Sequence, residues 1–117
     1  MALSVVIFDD VLAARGEEFR IPGLDVSVLG NADDIVAIVQ AVDPTIICMD
    51  FAMGPGHLTG VEAIQAARGV GYRGRIIAMS SDPVANAQMC AVGASEELPK
   101  KAMLRSFLVS LGKAQSG

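Results

Sequence analysis

Three aspartates and a serine are the residues of this sequence whose types and spacing could do chemistry. Val5-Val6-Ile7-Phe8 runs into Asp9-Asp10, Ile46-Ile47-Cys48-Met49 runs into Asp50, and Ile76-Ile77-Ala78-Met79 runs into Ser80. Each apolar stretch is dense in branched side chains, too short for a comfortable helix, and stops abruptly at a polar group. Such stretches read as strands covered on both faces of an open α/β sheet, and ligands collect where strands of that kind end. If the three are parallel neighbours, the carboxylates of Asp9, Asp10 and Asp50 and a hydroxyl share one rim. Like charges that close repel one another, so the arrangement asks for a divalent metal held by oxygen ligands.

The elements that must position these groups follow from the rest of the chain. A first strand over residues 4–8 leads to a short helix over about 11–19, weakened by Gly16, since glycine inside a helix costs about 1 kcal/mol relative to alanine. Ile21-Pro22-Gly23 is a turn, and residues 24–29 alternate polar with apolar, as expected of an edge strand. Residues 30–34 supply cap residues and acids for a helix carrying Ile35, Ile38, Val39 and Val42, which Asp43-Pro44 stops. The central strand over 44–49 then delivers Asp50. Gly54, Pro55 and Gly56 make a loop, and Thr59 starts a helix with Val61, Ile64 and Ala67 inward, which ends in residues 69–74.

A fourth strand over 75–79 feeds Ser80-Ser81-Asp82-Pro83, where Asp82 suits an N-cap and Pro83 a first helical position. That helix is expected over 83–92, followed by a second, more polar edge strand over 94–98. A last helix over about 101–112 places Met103, Leu104, Phe107, Leu108 and Leu111 on one stripe, with a frayed tail from Lys113 onward. Strands alternating with helices give an α/β, doubly wound, five-stranded parallel sheet. The order 2-1-3-4-5 puts the two polar strands outermost and sets the first and third side by side at the switch point, so Asp9, Asp10 and Asp50 converge.

Composition narrows the function. With 117 residues, 52% of them hydrophobic, the chain is expected to form a single domain, 1–117, with a real core. A net charge of -4 and a pI near 4.7 argue against direct nucleic-acid binding, because no cluster of Lys and Arg can neutralise a run of phosphates. The start, Met-Ala-Leu-Ser, has no signal-peptide pattern, and no apolar run approaches a membrane span, so a cytoplasmic protein is expected with no membrane partner. Cys48 and Cys90 are expected to be two buried free thiols, and a single histidine, His57, leaves zinc without ligands. His57 itself reads as an exposed loop residue.

Taken together, Val-Val-Ile-Phe-Asp9-Asp10, Ile-Ile-Cys-Met-Asp50, Ile-Ile-Ala-Met-Ser80 and Gly-Ala-Ser-Glu-Glu-Leu-Pro-Lys100 resemble the response-regulator receiver domains of two-component signalling, CheY-like modules with a flavodoxin-like fold, over essentially the whole chain. The resemblance implies that Asp50 accepts a phosphoryl group from a histidine kinase or phosphotransfer protein. It implies that Asp9, Asp10, Asp50 and the backbone carbonyl of Ala52 hold Mg2+. Lys100 would supply an ammonium, and Ser80 would hydrogen-bond the new phosphoryl group and couple it to the face made by the fourth helix, fifth strand and fifth helix. Phosphoryl transfer needs an in-line oxygen and positive charge around the equatorial oxygens, and this set is sufficient for it. The chain would act on itself, in phosphorylation and dephosphorylation, rather than turn over an external substrate.

The sequence also departs from the family pattern. Lys101 stands where a proline usually follows the lysine, Pro99 comes before it, and Glu97 occupies a position that is commonly aromatic. Ala52 and Asp82 match positions that tune phosphoryl lifetime, and the loop after the acceptor is about two residues longer than usual by this matching. Asp9 and Asp10 could instead merely cap a helix, Ser81 competes with Ser80 by register, and Lys100 could be a surface charge. These departures leave an alternative, a phosphate-independent pseudoreceiver acting as a protein-interaction module. A free-standing phosphatase with an aspartyl nucleophile is disfavoured, because Ala52 fills the place of its second acid. Downstream output is expected to pass through a docking partner, with a phosphorylation-dependent homodimer through the last helix as one form of it.

Overall fold

The computed structural model describes residues 2–98 and 101–116. Five strands, β1 (Leu3–Phe8), β2 (Leu24–Leu29), β3 (Ile46–Met49), β4 (Arg75–Ala78) and β5 (Glu96–Glu97), form one sheet in the order β2-β1-β3-β4-β5. Every neighbouring pair is parallel. The doubly wound α/β sheet is thus the one expected, with β2 at an edge and its residues alternating between half-buried and exposed. Phe8 stands level with Met49, and Met49 with Ala78. That register makes Asp9, Asp50 and Met79-Ser80 leave the sheet on the same rim.

The helices are α1 (Asp10–Ala14), α2 (Ile35–Val42), α3 (Gly60–Gly69), α4 (Pro83–Ala91) and α5 (Leu104–Ser116), the last preceded by a 3-10 turn over Lys101–Met103. Successive strand residues point to opposite faces. Val6, Phe8, Ile47, Met49, Ile76 and Ala78 accordingly pack with α2, α3 and Met89 of α4 on one side. Val5, Ile7, Ile46, Cys48, Ile77 and Met79 pack with Leu104 and Leu108 of α5 on the other. Continuous burial of β3 follows from this double cover. Among the described residues no helix is long and apolar enough to cross a membrane.

The first helix is shorter than its sequence pattern suggests. It ends after Ala14 because Gly16 takes a left-handed conformation, φ 65°, that a helix cannot continue through. The chain then runs irregularly, and Phe19 and Ile21 bury themselves beside Leu104 and Leu108, outside any regular element. The last helix is longer than expected, since it continues through Gly112 and Lys113 instead of fraying. A glycine is required at 112 by packing: a Cβ there would collide with the Pro22 carbonyl and lie 2.9 Å from the Ile21 side chain. The fifth strand is reduced to Glu96–Glu97, and Cys90 is half-buried rather than buried, although both cysteines are free.

One side chain organises the base of the sheet, the end away from the acids. Arg68, in the last turn of α3, donates from Nη1 to the carbonyls of Tyr72 (2.8 Å) and Gly74 (2.9 Å) and from Nε and Nη2 to that of Gly93 (3.1 and 2.9 Å). Its guanidinium also lies 5.5 Å from the centroid of the Tyr72 ring. The segments that lead into β4 and toward β5 are thereby fastened to α3. Tyr72 adds a bond from its hydroxyl to the Pro44 carbonyl, 2.7 Å, at the foot of β3.

Candidate functional site

Asp9 follows β1, is fully buried, and caps α1: its Oδ1 accepts from the amides of Val11 (2.9 Å) and Leu12 (3.0 Å). Capping and cation binding are therefore not exclusive readings of this residue, because a carboxylate has about four lone-pair directions and these two bonds engage one oxygen. Asp10 is the first residue of α1 and half-buried. Asp50 follows β3, is 7% exposed, and accepts at Oδ1 from the Phe51 amide, 2.9 Å. One carboxylate oxygen from each of the three lies within 4.8 Å of the others. Acids forty positions apart in sequence are brought together because β1 and β3 are neighbours in matched register.

The donor set decides which ion this cluster fits. Three carboxylates with no nitrogen or sulfur ligand among them suit a hard cation such as Mg2+ or Ca2+ and do not suit zinc. Ala52, whose carbonyl is the fourth expected ligand, lies two residues beyond Asp50 at the exposed start of the loop. That loop is held at both ends. The Gly60 amide donates to the Phe51 carbonyl, 2.7 Å, and farther along Asp33 reaches across from the segment after β2. Asp33 Oδ1 accepts from the Leu58 amide at 3.0 Å, and Oδ2 lies 2.6 Å from His57 Nδ1. The Leu58 amide, and then His57, hold the Asp33 carboxyl below its ordinary value.

α3 approaches β3 closely. Thr59 caps it in a reciprocal box with Glu62, and Gly60 beside it is buried against β3. A Cβ at 60 would strike the Asp50 carbonyl oxygen and lie 2.5 Å from Met89 Sδ, so only glycine fits. Cys48, two residues before Asp50, is no rival nucleophile, since burial pushes its thiol up to about 12.

Ser80 lies 8% exposed just past β4, and the Met79 amide still bonds the Met49 carbonyl, 3.0 Å, carrying the sheet pairing up to the level of Asp50. Its hydroxyl accepts from the Asp82 amide, 3.0 Å, while Asp82 caps α4 through the Val84 amide, 2.9 Å. Ser81 is exposed. Lys100, the expected ammonium, lies outside the described residues, and so does Pro99.

Two features were not foreseen from the sequence. Asn86 of α4, 1% exposed, accepts from the Ser80 amide at 2.9 Å and donates to the Ser80 carbonyl at 2.8 Å. An asparagine in the body of a helix is poorly suited to that place unless its amide has other work, which is the signal that could have found it. The second is the tie from Asp33 to His57 and Leu58. It joins segments with no local signature in common.

What the arrangement can do is hold a hard cation between three acids and present an oxygen of Asp50 beside it. No protein-family model and no curated protein matches the sequence. Solved structures match closely in shape. The response regulator domain of Thermotoga maritima CheB superposes with a TM-score of 0.73 at 18% identity, covering 100% of this chain and 98% of that one. A LuxR-family two-component response regulator from an Aurantimonas species gives 0.75 at 19% identity, covering 100% and 87%. The receiver domain of a Pseudomonas aeruginosa sensor histidine kinase, solved with magnesium coordinated in its active-site cleft, gives 0.71 at 18% identity, covering 98% of each. Over its whole length, this chain has the fold of the response-regulator receiver domains.

Proposed function

We propose that the chain is a receiver module of two-component signalling, a single domain over 1–117 that takes a phosphoryl group onto Asp50 from a sensor histidine kinase or a phosphotransfer protein. The observation that carries this reading is the convergence of Asp9, Asp10 and Asp50 within 4.8 Å at the carboxyl ends of adjacent strands. An Asp50 oxygen attacks phosphorus in line, the phosphorus–nitrogen bond of the donor phosphohistidine breaks, and the imidazole leaves with its electron pair and takes a proton. An acyl phosphate remains on Asp50. Asp9, Asp10, Asp50 and the Ala52 carbonyl would hold Mg2+, which supplies charge neutralisation at the transferring group when bound.

The remaining groups position and sense. Asp9 is fixed by the Val11 and Leu12 amides, and Asp50 by the Phe51 amide, so neither has to be ordered at the moment of reaction. Lys100 supplies the ammonium that pairs with the new phosphoryl oxygens, and Ser80 donates its hydroxyl proton to one of them. Similarity in fold to a magnesium-bearing receiver and to response regulators supports a kinase upstream and an effector downstream. The module works in the cytoplasm. A phosphorylation-dependent homodimer along α5 would draw on Met103, 46% exposed in the turn before it, and on the partly buried Phe107 and Leu111, because Leu104 and Leu108 are committed to the core.

Incubation with acetyl phosphate and Mg2+, followed by intact mass measurement, tests the proposal. One phosphoryl adduct is expected on the wild type, none on Asp50→Asn, and none when Mg2+ is chelated. An unmodified wild type, or equal labelling of Asp50→Asn, would overturn it and favour the phosphate-independent interaction module. The glutamate at 97 favours that second reading, since the usual aromatic is missing there.

A further inference from the structure

All three polar groups of Ser80 are held by α4 or by its cap. The Asn86 carboxamide bonds both the Ser80 amide and the Ser80 carbonyl in a closed pair, and the Asp82 amide bonds the hydroxyl. Asn86 is itself fixed in the first turns of α4, where its amide donates to the Asp82 carbonyl at 3.1 Å. The carboxamide is 1% exposed, so opening the pair would strand four polar groups with no water to take their place. By contrast, the two residues of β5 are exposed glutamates paired with Ile77 and Ala78, and Glu96 bonds Arg75 at the end of β4 away from Ser80.

From this we infer that Asn86 is a positioning residue that makes Ser80 and α4 move as one body. The inference rests on the receiver reading: it says where a phosphoryl group on Asp50 would be felt. Ser80 can close on that group only by carrying its own backbone with it, and Asn86 transfers the displacement to α4. The hydroxyl need not leave the Asp82 amide, because an oxygen that accepts one bond still has a proton to donate. Output is thus routed through α4, where Val84, 64% exposed, faces solvent, and not through a side chain of β5.

The test is amide hydrogen exchange over α4, read by mass spectrometry on the full chain with and without Mg2+ and acetyl phosphate. Wild type should show a change in α4 exchange on labelling. Asn86→Ala and Asn86→Asp, each compared with its own unlabelled form, should lose that change. Asp at 86 keeps an acceptor for the Ser80 amide but sets an oxygen against the Ser80 carbonyl, so it is the second variant should Ala fail to fold. A variant-free measurement accompanies them: by NMR, the Asn86 side-chain amide protons of wild type should stay protected before and after labelling.

The outcomes separate cleanly. A wild type that takes no label removes the receiver reading and this inference with it. A labelled wild type whose Asn86 protons lose protection, or folded variants whose α4 still responds as in wild type, overturns the inference alone. Loss of label in both folded variants also overturns it, by placing Asn86 in the acceptor's machinery instead of its output.

Discussion

Replacing Asp50 by asparagine should make the protein more stable when no divalent cation is present and should abolish most of its stabilisation by Mg2+. Carboxylate oxygens within 4.8 Å of each other repel by roughly 3.5 kcal/mol per pair at an effective dielectric of about 20. Asp50 belongs to two such pairs, with Asp9 and with Asp10, giving roughly 7 kcal/mol before any relief. Amide donors to Asp9 and Asp50 and the half-exposed position of Asp10 reduce this substantially, and a net gain of about 2 kcal/mol is expected for the variant. Asparagine keeps the oxygen that accepts from the Phe51 amide and turns the second oxygen into a donor toward the remaining acids. At about 2.1 cal/mol/K of unfolding entropy per residue, that gain amounts to a rise in Tm of about 8 °C.

Magnesium should narrow the gap. At ten times its Kd the ion adds about 1.4 kcal/mol to the wild type, or about 6 °C, and little to the variant. Thermal melts followed by far-UV circular dichroism, in EDTA and in MgCl2, give both numbers. A variant that melts below wild type in EDTA, or equal stabilisation of both by Mg2+, would refute the reasoning. Either result would mean that the three acids are not a strained cation site.

The other predictions concern the base, the loop and the thiols. Arg68→Ala should lower stability by about 3 kcal/mol, because charge-assisted bonds to three carbonyls are lost, and Arg68→Lys should recover less than half of it in a urea titration. Full recovery by lysine would show that charge and not the forked geometry matters. Asp33 is held below its ordinary value of 3.8, so its contribution is fully present above that pH and is lost as pH falls through the lowered value. The Leu58 amide shift should therefore titrate with a midpoint below 3.8, and a midpoint at or above it would refute the tie. A maleimide at neutral pH should modify half-buried Cys90 in the native protein and Cys48 only after unfolding, as mass mapping would show; early labelling of Cys48 would contradict its burial.

The strands and the acids at their ends were readable because burial on two faces leaves an unbroken apolar run, and a lone carboxylate after such a run stands out. The strand order followed from the same contrast, since Leu24–Leu29 alternates where Ile46–Met49 does not. The stretch after α1 was not readable. Phe19 stands at helical spacing from Leu12 and Arg15 and so was drawn into the expected helix, and only the tertiary fold shows that it and Ile21 pack beside α5 from an irregular stretch. Gly112 looked like a helix end because glycine commonly is one, whereas here the close passage of Pro22 requires it inside the helix. The Asp33–His57 tie was missed for a related reason, since only the folding of distant segments brings its residues together, whereas Asn86 lies six residues from Ser80 and was missed because the turn between β4 and α4 that aims its carboxamide back at Ser80 has no signature of its own.

The anchoring of the base by Arg68 has a mechanical consequence for the rim. With the entries to β4 and toward β5 buttoned to a single guanidinium, that half of the sheet has a fixed heel, and a push beginning at Ser80 cannot be absorbed by sliding the strands lengthwise. It must tilt what is free to tilt. On the coupling inferred above, the molecule would be a lever whose fulcrum and tip are set by two side chains at opposite ends, an arginine below and an asparagine above, and shortening either should blunt its stroke.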